Sequence, residues 1–242
     1  MTNPVNDHLI LVGGKAASGK SASLLNLKDP EGVMYLNCES GKRLPFRSKF
    51  KEFTIVDPVQ VEEAFQHAES MPEIHTIVVD SLTYLMDMFE SIRVLNSANT
   101  MKAWGEYSQF FKRLMQQHVA RSSKNVVFIA HHLDVLNEQD MRIETAVPIK
   151  GALKNNGVES YFSCVIAAKS VPVKDLANYD NELLHISDEE DMLGYKYVFQ
   201  TKKTKGSVGL SVRAPLGMWE TKETYIDNDV QQVFDRLKDY YG

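Results

Sequence analysis

The chain has 242 residues, of which 43% are hydrophobic, and a formal net charge of -5. This length and apolar content suit one α/β domain over residues 1–242, with a packed core. No apolar stretch approaches a membrane span, and the acidic balance excludes a surface that is basic overall. Residues 1–7 are polar and lack a basic leader, and Cys38 and Cys164 lie far apart in apolar runs. We therefore expect a cytoplasmic protein with no membrane partner and with two buried thiols.

A glycine-rich stretch follows the first predicted strand, the apolar run 8–12. It fits the pattern G-x-x-x-x-G-K-[ST] without a mismatch, and we call residues 14–21 the phosphate loop. In such a loop the glycines bring backbone N–H groups close to a nucleotide phosphate. Lys20 would reach the β- and γ-phosphates, the Ser21 hydroxyl would bind Mg²⁺, and a helix starting near Gly19 would add its N-terminus. The predicted nucleotide-binding residues are Gly14, Lys15, Ala16, Ala17, Ser18, Gly19, Lys20, Ser21 and Ala22.

Short apolar runs and helical stretches alternate along the rest of the chain, which is typical of βαβ units around a mostly parallel sheet. We expect the last two strands to be antiparallel neighbours near a sheet edge. Segment 172–194 carries seven acids and one lysine and is predicted to be a flexible insertion or a long hairpin. The predicted strands are 8–12, 33–38, 53–56, 76–79, 126–130, 163–168 and 195–201, and the predicted helices are 18–27, 59–70, 82–95, 103–121 and 229–240.

Polar residues close three of the predicted strands, and ligands bind beyond the carboxyl ends of parallel strands. Asp80 is expected to hold the Mg²⁺ ion, with a helix N-cap as the alternative role. Many phosphate-loop ATPases carry a catalytic glutamate directly after this aspartate, but here Ser81 follows. The group that polarises the attacking water must then come from another strand end. Glu39 is the best placed, although a solvated loop carboxylate remains possible.

This order of motifs resembles the RecA-type ATPase core. In that family the catalytic glutamate follows the second strand, as Glu39 does in MYLNCESG, and an aspartate-serine pair closes the strand HTIVVDS. VVFIAHH puts His131 where RecA has a glutamine that senses the γ-phosphate. This histidine and the AWG sequence at 103–105 are similar to small phage-encoded ATPases of the single-strand annealing and recombination group, often called the Sak-four group. The resemblance covers about residues 8–215.

The resemblance implies a RecA-like sheet flanked by helices, with ATP and Mg²⁺ as cofactors. It also implies an ATPase stimulated by single-stranded DNA, in a host cytoplasm, that acts in phage recombination, annealing or repair. The region from Leu133 to Lys154 has the position of the family's DNA-binding loop, but its charge is mixed. Seven residues before the first strand are too few for the N-terminal arm of RecA filaments. The resemblance thus does not choose between a filament, a ring and a DNA-dependent assembly.

RecA-type sites are completed in a homo-oligomer by paired lysines from a neighbouring subunit. In FQTKKTKGSVGL, Lys203 and Lys205 would face the same way on a strand and could act as an arginine finger does. A basic patch that contacts DNA phosphates is the alternative for these lysines. The basic stretch 196–213, with five cations and no acid, is compatible with both roles.

Two other functions remain open from the sequence. A small-molecule kinase would need an arginine-rich lid, and only Arg142 lies in the long loop after His132. A nucleotide-gated protein that hydrolyses little ATP could load a replication or single-strand binding protein, because the binding motifs are more complete than the hydrolytic ones. Trp104, Tyr107 and the pair 110–111 are expected in the core, since their spacing is helical.

Overall fold

The computed structural model describes residues 6–242 of the chain. Its strands are β1 (Leu9–Gly14), β2 (Val33–Asn37), β3 (Lys51–Thr54), β4 (Thr76–Asp80), β5 (Asn125–His131), β6 (Leu133–Asn137), β7 (Arg142–Ala146), β8 (Cys164–Pro172), β9 (Tyr195–Gln200) and β10 (Tyr225–Asp227). Eight of them form one sheet in the order β10-β9-β8-β1-β5-β4-β2-β3. Each pairing from β8 to β3 is parallel, whereas β9 and β10 pair antiparallel at the opposite edge. The predicted α/β class with late antiparallel edge strands is confirmed.

Helices cover both faces of this sheet: α1 (Val59–Glu69), α2 (Leu82–Phe89), α3 (Thr100–Arg113), α4 (Val173–Leu176), α5 (Asp188–Leu193) and α6 (Val230–Tyr241). Strand β1 shows why its sequence is an unbroken apolar run. Leu9 and Leu11 pack into the core with α1, α2 and α3, whereas Ile10 and Val12 pack into the core with α6. Because successive side chains point to opposite faces, a strand covered on both faces needs apolar residues at every position.

The expected core aromatic residues lie on α3. Tyr107, Phe110 and Phe111 are buried, and Trp104 is half-buried against the same core. Both cysteines are buried and free, as predicted. Among residues 6–242, the helices are all too short or too polar to cross a membrane.

The predicted helix over 18–27 is wrong in type. Only Ser21–Leu24 is helical, and as a 3₁₀ turn. Beyond it the backbone bonds stay short-range, with Leu27 N donating to Leu24 O at 3.2 Å. Asp29 then takes a left-handed φ of 46° before Pro30. The i→i−3 bonds and the left-handed Asp29 thus replace the predicted α-helix with a 3₁₀ turn.

The predicted antiparallel pairing of the strands at 163–168 and 195–201 near a sheet edge is confirmed by β8 and β9, whereas the parallel pairing of β8 with β1 was not predicted. Strand β8 pairs parallel with β1 inside the sheet and meets an antiparallel neighbour, β9, only on its other side. Residues 164–168 are buried, and a buried strand is an apolar run whether its neighbour is parallel or antiparallel. The sequence pattern therefore could not distinguish parallel from antiparallel pairing.

Two segments contain regular structure that the sequence pattern did not predict. The acidic segment 172–194 connects the antiparallel strands β8 and β9 and holds α4 and α5, and its Leu176 and Leu184 pack with Val198 of β9. The region after His132 holds the antiparallel hairpin β6–β7. The side chains of β6 are mostly exposed. A strand without a buried face does not need the alternation of apolar and polar residues that identifies a strand in a sequence.

Candidate nucleotide-phosphate site

Parallel pairing brings the predicted site residues to one edge of the sheet. Gly14 at the end of β1 is in register with His131 at the end of β5. Asp80 at the end of β4 is in register with Asn37 at the end of β2, two residues before Glu39. The carboxyl ends of these strands therefore meet beside the phosphate loop, where ligands bind in such sheets.

The phosphate loop depends on its glycines and on Lys20. A Cβ atom at Gly14 would overlap the Ser18 hydroxyl, and Gly19 has a φ of 88°, which glycine adopts without strain. Lys20 is only 7% exposed, and its Nζ donates to the Lys15 carbonyl at 2.7 Å. Burial lowers the pKa of Lys20, although the charges of Asp80 and Glu39 oppose this shift.

Asp80 receives two hydrogen bonds on one oxygen. The Ser21 and Tyr35 hydroxyls both donate to Asp80 Oδ2 at 2.8 Å. Asp80 Oδ1 is buried and has no hydrogen-bond partner among residues 6–242. Burial raises the pKa of Asp80, and the bonds from Ser21 and Tyr35 oppose this shift. An unsatisfied buried carboxylate oxygen next to a hydroxyl fits the oxygen ligands that Mg²⁺ prefers. Asp80 thus accepts a hydrogen bond from Ser21 of the phosphate loop. The N-cap residue of α2, the alternative role for Asp80, is Ser81.

Two side chains, those of His131 and Lys42, contact the carboxylate of Glu39. His131 Nε2 lies 3.1 Å from Glu39 Oε1, and Lys42 Nζ donates to Oε2 at 2.8 Å. The bond from His131, followed by that from Lys42, lowers the pKa of Glu39 to about 2 despite its partial burial. The backbone N–H of His131 donates to Thr83 Oγ1 at 2.9 Å, and its ring packs edge-on against Tyr84. Glu39 is therefore an ionised, oriented acceptor at neutral pH.

A cavity of about 360 Å³ is lined by the phosphate loop, Glu39, Lys42 and His131. It runs along residues 16–22 of the chain from Glu39 and His131 to the ring of Tyr197 on β9. Next to Tyr197, Asn228 Nδ2 donates to the Gly19 carbonyl at 2.8 Å. The glycine-rich phosphate loop, the buried Lys20 and the Asp80 oxygen without a hydrogen-bond partner together fit a nucleotide phosphate with a divalent cation.

Several residues of this site were absent from the sequence prediction. Tyr35 lies inside an apolar strand and is indistinguishable from a core residue by pattern alone. Tyr197 and Asn228 reach the loop only because β9 and the chain after β10 fold beside it. Lys42 follows Glu39 by three residues, and Gly41 between them has a left-handed backbone conformation. The turn at this glycine could have indicated from the sequence that Lys42 contacts Glu39.

The late lysines do not alternate along a strand, which corrects the prediction for them. Strand β9 ends at Gln200, whose Nε2 donates to the Lys202 carbonyl at 2.7 Å and to Ser207 Oγ at 2.6 Å. These bonds pull the chain into a 3₁₀ turn that begins at Lys205. Lys203 and Lys205 do not line the cavity that holds Lys20.

Gly13, just before the phosphate loop, has a packing role. A Cβ atom there would overlap the imidazole ring of His132, which is 9% exposed. The His132 ring fills the space above this glycine, and burial lowers its pKa to about 4.

A family model described as an AAA domain matches residues 7–209, which includes the phosphate loop, Glu39, Asp80 and His131. No curated protein matches the chain.

Proposed function

The chain belongs to the AAA domain family, a family of P-loop NTPase type, and from this premise we propose that it is a Mg²⁺-dependent ATPase. The observation that carries the proposal is the meeting of the phosphate loop, the Ser21–Asp80 pair and the ionised Glu39 at one sheet edge. In this proposal Lys20 exchanges its bond to the Lys15 carbonyl for the β- and γ-phosphates. Ser21 and Asp80 hold Mg²⁺, which when bound neutralises charge on the phosphates.

Glu39 orients and polarises the attacking water in this proposal. With a pKa of about 2, Glu39 is a weak base. It therefore contributes more by positioning the water molecule than by accepting a proton from it. His131 and Lys42 fix the carboxylate, and His131 reports on the γ-phosphate through the same contact.

We further propose that hydrolysis is coupled to single-stranded DNA in phage-type recombination, annealing or repair. The resemblance to the Sak-four group supports this, as does the hairpin β6–β7, which directly follows His131. Its exposed Val135, Ile143 and Arg142 offer the apolar and cationic contacts that single strands use.

A homo-oligomer is part of the same proposal. Two roles stay open for Lys203 and Lys205: completing the site of a neighbouring subunit, or contacting strand phosphates. Their absence from the cavity of Lys20 in their own chain is compatible with both roles.

A second candidate is a nucleotide-gated loader with little hydrolysis, whose partner is a single-strand binding or replication protein. Both oxygens of Glu39 already accept hydrogen bonds, from His131 and Lys42, and this observation favours slow turnover.

ATP binding and hydrolysis, each measured with and without Mg²⁺ and with and without a single-stranded oligonucleotide, test the proposal. We expect Mg²⁺-dependent turnover that rises with the oligonucleotide. Tight ATP binding without turnover under any condition would favour the loader, and no ATP binding would contradict both functions.

A further inference from the structure

A second cavity, of about 700 Å³, lies on the other side of the phosphate loop. Residues Ala16, Ala17 and Ser18 line both this cavity and the one that holds Lys20, so the loop is a wall between them. The remaining walls come from the hairpin β6–β7, the end of β8 and the turn at 205–210. Its volume is in the range of ligand-binding cavities.

Cations dominate the lining of this second cavity. Lys15, Arg142, Lys169 and Lys205 line it, against the single acid Asp134. Lys15 forms an ion pair with Asp134, and Arg142 pairs with acids of its own hairpin. The cavity therefore keeps a surplus of positive charge.

The surplus rests on Lys169 and Lys205. Among residues 6–242, neither lysine has a carboxylate within ion-pair distance. Lys169 is half-buried, and its Nζ donates to the neutral Gln200 Oε1 at 2.8 Å. Burial lowers the pKa of Lys169, although the charge of Asp134 opposes this shift. A bound anion would compensate the charge of Lys169.

Polar groups beside these lysines add hydrogen-bonding capacity. Ser170, Ser207 and Thr145 line the cavity; the Thr145 hydroxyl already donates to Asp134, and the Ser207 hydroxyl accepts from Gln200. His132 also lines it, with its Nε2 buried against Gly13. Lysines surrounded by hydroxyls are the groups that proteins use for phosphate oxygens.

We propose that this cavity is a second phosphate-binding site, which takes the phosphate groups of a nucleic-acid strand or of a free polyphosphate. The choice of a strand as one source rests on the proposed function. The Lys15–Asp134 pair connects the site to the phosphate loop, since Asp134 Oδ1 also accepts from Thr145 Oγ1 of the hairpin at 2.7 Å. A phosphate bound here competes with Asp134 for Lys15.

The test measures the binding of two probes, a labelled oligodeoxythymidylate and inorganic tripolyphosphate. A non-hydrolysable ATP analogue and Mg²⁺ fill the nucleotide site in both arms. The variants are Lys169→Gln and the exposed Lys205→Gln, and each removes one charge. Lys49→Gln is the matched control, because it also removes one lysine charge. Lys49 forms an ion pair with Glu31, and these two residues precede the amino ends of β3 and β2, respectively.

We expect Lys169→Gln and Lys205→Gln each to weaken oligonucleotide binding at low salt by about tenfold. Each should also reduce the slope of log affinity against log salt by about 0.7. Lys49→Gln should bind like the unaltered protein. Loss of tripolyphosphate binding in the same variants would identify a general polyphosphate site, and an effect on the oligonucleotide alone would identify a strand site.

Equal affinities of all variants for both probes would overturn the inference, as would no binding of either probe to the unaltered protein. Failure of the proposed function looks different, because the ATP analogue itself would then not bind. Lys169→Gln should keep its affinity for the analogue, which shows that this variant is folded.

Discussion

Replacing Glu39 by glutamine separates chemistry from binding. The amide keeps the size of the carboxylate but loses its charge, so it polarises water poorly. Losing a group of this kind slows turnover by about 10²-fold, or about 2.7 kcal/mol of the barrier. Glu39→Gln should therefore hydrolyse ATP at about 1% of the normal rate or less.

The structural cost of this change is much smaller. The contact joins a Glu39 side chain that is 10% exposed to a Lys42 side chain that is 67% exposed, and an ion pair with one exposed partner is screened by water, so its loss should cost about 1 kcal/mol. His131 can keep a hydrogen bond to the amide by exchanging its tautomer. ATP affinity and thermal stability should thus stay close to those of the unaltered protein.

Single-turnover hydrolysis at saturating ATP and Mg²⁺ measures the rate, and calorimetry measures the affinity. Glu106→Gln is the matched control, because Glu106 is exposed on α3 and pairs with Lys102. Near-normal turnover in Glu39→Gln would refute this role of Glu39. Ionised Glu39 is lost only as pH approaches its pKa of about 2, so a loss of rate at a higher acidic pH belongs to another group, such as Asp80, whose pKa burial raises.

Three further changes test the remaining parts of the proposed site. Lys20→Ala should abolish ATP binding with little loss of fold, and unchanged affinity by calorimetry would contradict the phosphate-loop assignment. Asp80→Asn should weaken Mg²⁺-dependent ATP binding by about ten- to hundredfold, whereas binding measured with chelator present should change little. Mixing Lys203→Ala/Lys205→Ala protein with Glu39→Gln protein should restore part of the hydrolysis if the lysines act across subunits. A mixture that stays inactive although the two variants share oligomers would place these lysines on the strand-binding surface instead.

Local patterns with a strict physical cause were readable in the sequence. Parallel strands buried on both faces appear as apolar runs, so the polar residues Glu39, Asp80 and His131 marked the strand ends. The phosphate loop was readable because Gly19, Lys20 and the following hydroxyl must stand at fixed offsets to hold phosphate.

Features decided by long-range packing were not readable. Tyr35 has the pattern of a core residue, and only the approach of β4 turns its hydroxyl to Asp80. Strand β8 is equally apolar in a parallel or an antiparallel position. Lys203 and Lys205 alternate in sequence, but side-chain bonds from Gln200 end the strand before them.

The His132 ring above Gly13 links two positions that are 119 residues apart in sequence. Gly13 lies outside the phosphate-loop pattern, yet an alanine there would collide with imidazole regardless of any ligand. The two positions should therefore covary: a larger residue at 13 requires a smaller one at 132. In a double-mutant cycle, His132→Ala should recover much of the stability that Gly13→Ala removes, and simple addition of the two losses would show that they are independent.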